Sequence, residues 1–310
     1  MKEYLIGTGG WEYFHIPGIK PLVAYSRLFN FVEVNSTFYR IPPIEQVEKW
    51  RKQVPPDFQF SVRANRTVTH KYMLQPTTEA LETFDKMRKI CETLKTSLLH
   101  LQTPAPLALN QKTIRNIRDF MSSANIGKLR LALETRTSSS AKLPHELQKV
   151  MQDSGMVHCV DLSKGDIPAY DSDILYTRLF GKGEHNIYQP TDGELAEIDT
   201  ATSSSESAKV VMSFHFVKMY KDAARMKTFK ETGKFPMVTR STGISSLEEA
   251  LGEDATFPAT KQELIANQGW KLFDQTPEQR LRVSDALEAL PEKTYNSIGE
   301  VINSIVSIQR

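Results

Sequence analysis

Strand-like and helix-like stretches alternate eight times between residues 4 and 232, and this repetition predicts an α/β fold with a parallel sheet. Eight units favour closure into a TIM-like (β/α)8 barrel over an open doubly wound sheet. Past residue 245 the pattern changes to short segments with helix-capping signatures, which predicts a small C-terminal all-α module.

The units follow in order. Residues 4–8 read as the first strand and 21–29 as a helix, with 31–35 as the second strand and 43–53 as its helix. Pro42 and Pro43 open that helix, with Ile44, Val47 and Trp50 in register on one face. The third strand spans 58–65 and leads to an amphipathic helix over 79–95; the fourth spans 97–102, before a helix near 111–123. The fifth strand, 129–136, precedes a helix near 145–153, and the sixth, 156–162, precedes no long helix. The seventh, 174–180, is followed by a short helix near 192–198, and the eighth, 209–216, by one near 221–232. The turn Gly7-Thr8-Gly9-Gly10 lacks the dinucleotide fingerprint and reads either as a close-approach loop for an anion or as a tight turn.

Residues 233–245, rich in Gly, Pro, Ser and Thr, read as a linker, so the expected domains are a barrel over 1–236 and a linker with helical module over 237–310. Four capping boxes mark the module: Ser246 with Glu249, Thr260 with Glu263, Thr276 with Gln279, and Ser297 with Glu300. No residue set in it looks catalytic, and binding or assembly with an unidentified partner is its expected role.

The 310 residues are 40% hydrophobic and 25% charged, as in a soluble globular protein, and the net charge of +2 does not call for a nucleic-acid partner. No apolar run has the length of a membrane span, and the first residues run directly into a strand. Cys91 and Cys159 form no metal-ligand spacing. Together these point to a cytoplasmic protein with reduced cysteines and no membrane partner.

Chemistry in such a barrel sits at the C-terminal strand ends, on the faces that alternate inward. On the second strand Glu33 and Asn35 share a face, and Tyr39 follows in the polar loop. The third strand offers Ser61, Arg63 and Asn65, and the fourth His100 and Gln102. On the fifth, Leu129, Leu131 and Leu133 face the helices, leaving Arg130, Glu134 and Arg136 inward. The sixth offers Val157, Cys159 and Asp161, the seventh Tyr176 and Arg178, and the eighth Ser213 and His215. Three acids (Glu33, Glu134, Asp161) thus meet three arginines (Arg63, Arg136, Arg178), while His70 and His15 add acid–base capacity. A multi-metal hydrolase needs an excess of acids and histidines; matched arginines describe an anion-binding pocket, and no metal site is assigned. Glu134 should lie within reach of an arginine from another strand, Arg178 or Arg63.

These residues resemble a known family. Ile6-Gly7-Thr8-Gly9-Gly10-Trp11, Val32-Glu33-Val34-Asn35-Ser36-Thr37-Phe38-Tyr39, and Arg63 with Val68-Thr69-His70 resemble the YecE-like proteins of unknown function, DUF72. Leu133-Glu134-Thr135-Arg136, Val160-Asp161, Tyr176-Thr177-Arg178 and Tyr220-Lys221-Asp222-Ala223 follow in the expected order. The resemblance covers about residues 1–236 and implies a TIM-barrel-like fold, with no activity attached; its likeness to endonuclease IV and sugar-isomerase barrels is fold-level analogy. The chain departs from the family pattern at Arg63, Thr137, Phe180 and 213–215. Residues 257–264 and 289–291 resemble a small helical domain, also of unknown function.

The leading functional expectation is a hydrolase of phosphoester or other anionic substrates. Glu134 or Glu33 would be general base, His70 the acid or orienting group, and Asp161 a further catalytic acid at the mouth. Asn35, Tyr39, Arg63, Gln102, Arg136, Tyr176, Arg178 and His215 would bind substrate, the arginines holding the anion. The alternative is a nucleic-acid-binding module without catalysis, motivated by residues 218–234, where Lys218, Lys221, Arg225, Lys227, Lys230 and Lys234 face only Asp222 and Glu231. A metal-dependent sugar isomerase or lyase using Glu33, Glu134, Asp161 and His215 is a distant third. Substrate, cofactor and oligomeric state are not legible.

Overall fold

The structure, a computed structural model, describes residues 2–105, 107–136 and 143–308. Thr137, one of the departures from the family pattern, lies outside these residues. Eight parallel strands form a nearly closed barrel: β1 (Glu3–Thr8), β2 (Phe31–Val34), β3 (Gln59–Arg63), β4 (Leu98–Gln102), β5 (Arg130–Glu134), β6 (Val157–His158), β7 (Ile174–Leu179) and β8 (Lys209–Phe214). They pair in the order β6-β5-β4-β3-β2-β1-β8-β7. An isolated parallel bridge between Val160 and Thr177 joins the two ends of that order. There the Val160 N–H donates to the Tyr176 carbonyl at 3.2 Å and the Arg178 N–H to the Val160 carbonyl at 3.1 Å.

The helices between strands are α1 (Pro21–Ser26), α2 (Ile44–Lys52), α3 (Thr78–Leu94), α4 (Gln111–Ser123), α5 (His145–Asp153) and α6 (Asp192–Ser204), with α7 (Met219–Thr232) after β8. Helix α6 runs six residues past its expected end. Within the added turn the Thr200 hydroxyl donates to the Ala196 carbonyl at 2.9 Å. The sixth strand is much shorter than expected. Asp161 is not on its face; it begins the 3₁₀ turn Leu162–Lys164, its carboxylate accepting from the Ser163 N–H at 3.0 Å.

The barrel interior changes character along its axis. Leu5, Phe31, Leu98, Ala132, Val157, Cys159, Ile174, Tyr176 and Val211, drawn from seven strands and the residue after β6, form one buried cluster. Two residues further along their strands stand Glu33, His100, Glu134, Arg178 and Ser213, all buried or nearly so. Apolar burial at the base holds the strands in register, and the period of two then forces the next inward positions to carry the polar set.

One hydroxyl closes the start of the barrel. Tyr25, fully buried on α1, donates to the Phe31 carbonyl at 2.8 Å and accepts from the Thr8 N–H at 2.9 Å and the Thr8 hydroxyl at 3.1 Å. The glycine turn serves this packing: a Cβ on Gly7 would stand 2.0 Å from the Phe31 carbonyl oxygen, and one on Gly9 2.2 Å from the His215 ring.

Two compact units divide the chain, Met1–Leu179 with Ala201–His215, and Phe180–Thr200 with Phe216–Arg310. The second contains α8 (Gly243–Gly252), α9 (Lys261–Gln268), α10 (Val283–Leu287) and α11 (Ile298–Ile308) around a core that includes Leu247, Leu264, Val283, Tyr295 and Val301. Two short two-stranded sheets accompany the expected helices: β10 (Leu272–Asp274) with β11 (Arg280–Arg282), and β12 (Thr294–Tyr295) with β9 (Ala259–Thr260). Thr260 and Glu263 make the expected capping box, and Ser297 accepts from the Glu300 N–H at 3.2 Å. The other two signatures do different work. Thr276 caps a turn leading to β11, accepting from the Gln279 N–H at 3.1 Å. Ser246 lies inside α8, fully buried, and accepts from the Asp274 N–H at 2.7 Å.

Tyr25→Phe removes a hydroxyl that serves two buried backbone groups, so a loss of about 2 kcal/mol is expected. Denaturant unfolding measures it; a change below 0.5 kcal/mol, the size of an ordinary surface substitution, would contradict the role given to this hydroxyl.

Candidate functional site

The polar interior is built on Arg178, which is 1% exposed. Its Nε and Nη2 donate to the two oxygens of Glu33 at 3.0 and 2.9 Å, and its Nη1 donates to Glu134 Oε2 at 2.7 Å. β7 is not a sheet neighbour of β2 or β5, so these bonds cross the barrel. The bidentate fork matches a carboxylate plane, which a lysine could not do. Glu33 also accepts from the Tyr176 hydroxyl at 2.8 Å, and that hydroxyl bonds Ser61 Oγ at 2.7 Å. His215 Nε2 lies 3.5 Å from Glu33 Oε1 and 3.0 Å from Ser213 Oγ.

Glu134 is the second centre. His100 Nε2 stands 3.0 Å from its Oε2, while Gln102 Nε2 and Arg136 Nε donate to its Oε1 at 2.7 and 3.0 Å. Arg63 completes the set differently. Its Nη1 donates to Asn35 Oδ1 at 2.7 Å and its Nη2 to Gln102 Oε1, both neutral amides. Its guanidinium lies 3.7 Å above the Phe38 ring, and its buried Nε has no hydrogen-bond partner among the described residues.

The environment fixes the charges. Burial alone would raise the Glu33 pKa; the Arg178 guanidinium overturns this, with His215 and His100 assisting, and holds it at about 2. Glu134 is held well below the ordinary range in the same way, against burial, by Arg178 and His100. Burial and the nearby Arg178 push His215 down to about 3 and lower His100, so both imidazoles are neutral at pH 7. Burial and the repulsion of Arg178 bring Arg63 down to about 10, which still leaves it charged at pH 7.

The remaining expected residues stand nearer the rim. His70 lies in a single π-helical turn, Thr67–Lys71, a local form that often marks functional sites. Its Nδ1 is 2.9 Å from Thr69 Oγ1 and its ring meets Phe38 edge-on at 4.8 Å. Burial, then Arg63 and Arg136, lower its pKa. Tyr39 is 64% exposed, its ring edge-on to Phe38 at 4.9 Å. Asp161 stands on its separate turn. Sequence reasoning placed His100 inward without giving it a role, and missed Phe38 as the seat of Arg63. Alternation was the signal for the first; nothing local signals the second.

His100, Glu134 and Cys159 offer ligand atoms within 4.8 Å of one another. The geometry would accept a cation, but the charges oppose one. Arg178 already occupies the Glu134 oxygen nearest His100, and burial, with Glu134 nearby, raises the Cys159 thiol well above its ordinary pKa. The basic segment proposed for nucleic acid is heavily engaged by acids. Lys218 and Lys221 both pair with Glu253 at 2.6 and 2.8 Å. Arg225 bridges Asp222 and Asp192 at 2.9 and 2.6 Å, and Lys230 meets Asp199 at 2.8 Å.

The buried groups dictate acid sensitivity. The folded state refuses protons at His215 until about pH 3, whereas the unfolded chain takes them near 6.5, so stability falls as pH drops below 6.5. Glu33 stabilises fully above 4.5, and that contribution, of order 3 kcal/mol, is lost as pH falls toward 2. Urea midpoints measured from pH 8 to 3.5 should decline from about pH 6.5, with a shallower decline in His215→Gln. Midpoints independent of pH over that range would contradict the buried neutral imidazole.

Residues 5–234 match the family described as "protein of unknown function DUF72". The UPF0759 protein YunF of Bacillus subtilis (strain 168) is 27% identical over 190 residues, which is 56% of this chain and 67% of that protein. A solved structure of a DUF72 family protein from Thermotoga maritima MSB8 aligns with a TM-score of 0.59 at 20% identity, covering 74% of this chain and 99% of that one. D-psicose 3-epimerase aligns with a TM-score of 0.51 at 15% identity, over 74% of this chain and 98% of that one, a likeness of fold alone. No described helix is long and apolar enough to cross a membrane. With the family match spanning most of its length, the chain belongs to the DUF72 family.

Proposed function

We propose that the barrel mouth of this DUF72 protein binds the anionic group of a substrate and hydrolyses a phosphoester there. One observation carries the reading. Among the described residues, the hydrogen-bonded set contains three guanidinium groups, Arg63, Arg136 and Arg178, against two carboxylates, and Arg63 is bonded only to amide oxygens. A buried cation without an acid partner is costly unless an anion completes it.

The pKa directions divide the roles. Glu33 is consumed by Arg178 and Tyr176 and serves as scaffold. Glu134, held strongly acidic, is a weak base and instead orients Arg136 and Gln102. His70, kept neutral beside Arg63 and Arg136, is the group suited to take a proton from an attacking water. Arg63 and Arg136 hold the anion and the charge that develops on it. Engagement of the α7 cations by Glu253, Asp192, Asp222 and Asp199 supports placing anion recognition in the barrel.

Two variants test the reading by calorimetry with inorganic phosphate and by a hydrolysis panel of phosphomonoesters, phosphodiesters and DNA. Arg63→Met should weaken phosphate binding at least about tenfold, the value of one charge-assisted bond. His70→Gln should keep binding and lower hydrolysis by about 100-fold or more. Binding unchanged in Arg63→Met, or wild-type and His70→Gln rates that coincide, would contradict the reading.

A further inference from the structure

Resting on the anion reading above, we infer that the site selects singly charged esters bearing a flat ring, such as a phosphodiester or sulfate monoester, over doubly charged phosphomonoesters. The first ground is charge. Among the described groups of the hydrogen-bonded set, two carboxylates offset two of the three guanidinium groups, while His100 and His215 are neutral. One positive charge remains. In a buried site the cost of desolvating an ion grows with the square of its charge, whereas its attraction to a fixed charge grows linearly. A site with one uncompensated cation is therefore matched to one negative charge. Arg63, 8% exposed and with its Nε unpartnered among the described residues, is that cation.

The second ground is the surface beside it. The Arg63 guanidinium rests on Phe38 at 3.7 Å; Phe38 is 9% exposed and committed to that contact. Tyr39, its neighbour, is 64% exposed. An exposed aromatic next to a buried cation offers a stacking surface for a ring attached to the bound anion. Neither a free phosphate nor a small alkyl ester would use it.

Titration calorimetry at pH 8 and fixed ionic strength separates the possibilities with phenyl phosphate, phenyl sulfate, methyl phenyl phosphate and methyl sulfate. Phenyl sulfate and methyl phenyl phosphate, both monoanions, should bind at least about tenfold tighter than the dianion phenyl phosphate. Tyr39→Ala should weaken the two phenyl monoanions several-fold and leave methyl sulfate unchanged. Equal or tighter binding of phenyl phosphate would overturn the charge selection while leaving the anion reading intact. A Tyr39→Ala variant with unaltered affinities would overturn the ring contact. If none of the four binds, or if Arg63→Met binds all of them as wild type does, the anion reading itself fails.

Discussion

Arg178 stands fully buried between Glu33 and Glu134, on a strand that pairs with neither of theirs. Three charged groups in the middle of a barrel would be prohibitive if any one lacked its partner. Their mutual geometry is therefore a constraint on the whole architecture. β2, β5 and β7 must face one another across the interior at a separation that one guanidinium can span. Burial alone would lower the Arg178 pKa; Glu33 and Glu134 outweigh it and raise it, so the cation persists at any pH at which the barrel is folded.

The polar centre depends in turn on the apolar base beneath it. Leu5, Phe31, Leu98, Val157, Ile174 and Val211 pack below the charged set and exclude water from it. Exclusion of water strengthens the electrostatics above, and it also makes the imidazoles of His100 and His215 neutral. Neutral histidines leave Arg63, bonded to neutral amides, as the guanidinium without a carboxylate partner among the described residues. In this way packing at one end of the barrel sets the charge state of the groups at the other.

Much of this was legible in the sequence because a strand has a period of two. Leu131 and Leu133 on one face of β5 require Glu134 on the other, and the same alternation assigns Glu33, Arg63, Gln102 and Arg178. Partner choice was not legible, since the bonds from β7 to β2 and β5 exist only after closure. The sixth strand misled because residues 156–162 read as one strand, whereas the chain leaves regular pairing after His158 and returns for a single bridge at Val160. Ser246 misled for another reason. A Ser followed three residues on by Glu marks a helix start only when the Ser is outside the helix, and here it is inside, held by Thr239 and Asp274. The π-helical turn that carries His70 has no sequence signature to read.

A double-mutant cycle on Glu33→Gln and Arg178→Met tests the central claim most directly. Each single change strands a buried charge or breaks its fork, and each should cost about 3–5 kcal/mol in urea unfolding. The double variant removes both halves together, so its loss should fall short of the summed singles by at least about 2 kcal/mol. Strictly additive losses would show that the two residues do not depend on one another, and the account of a barrel organised around that ion pair would be wrong.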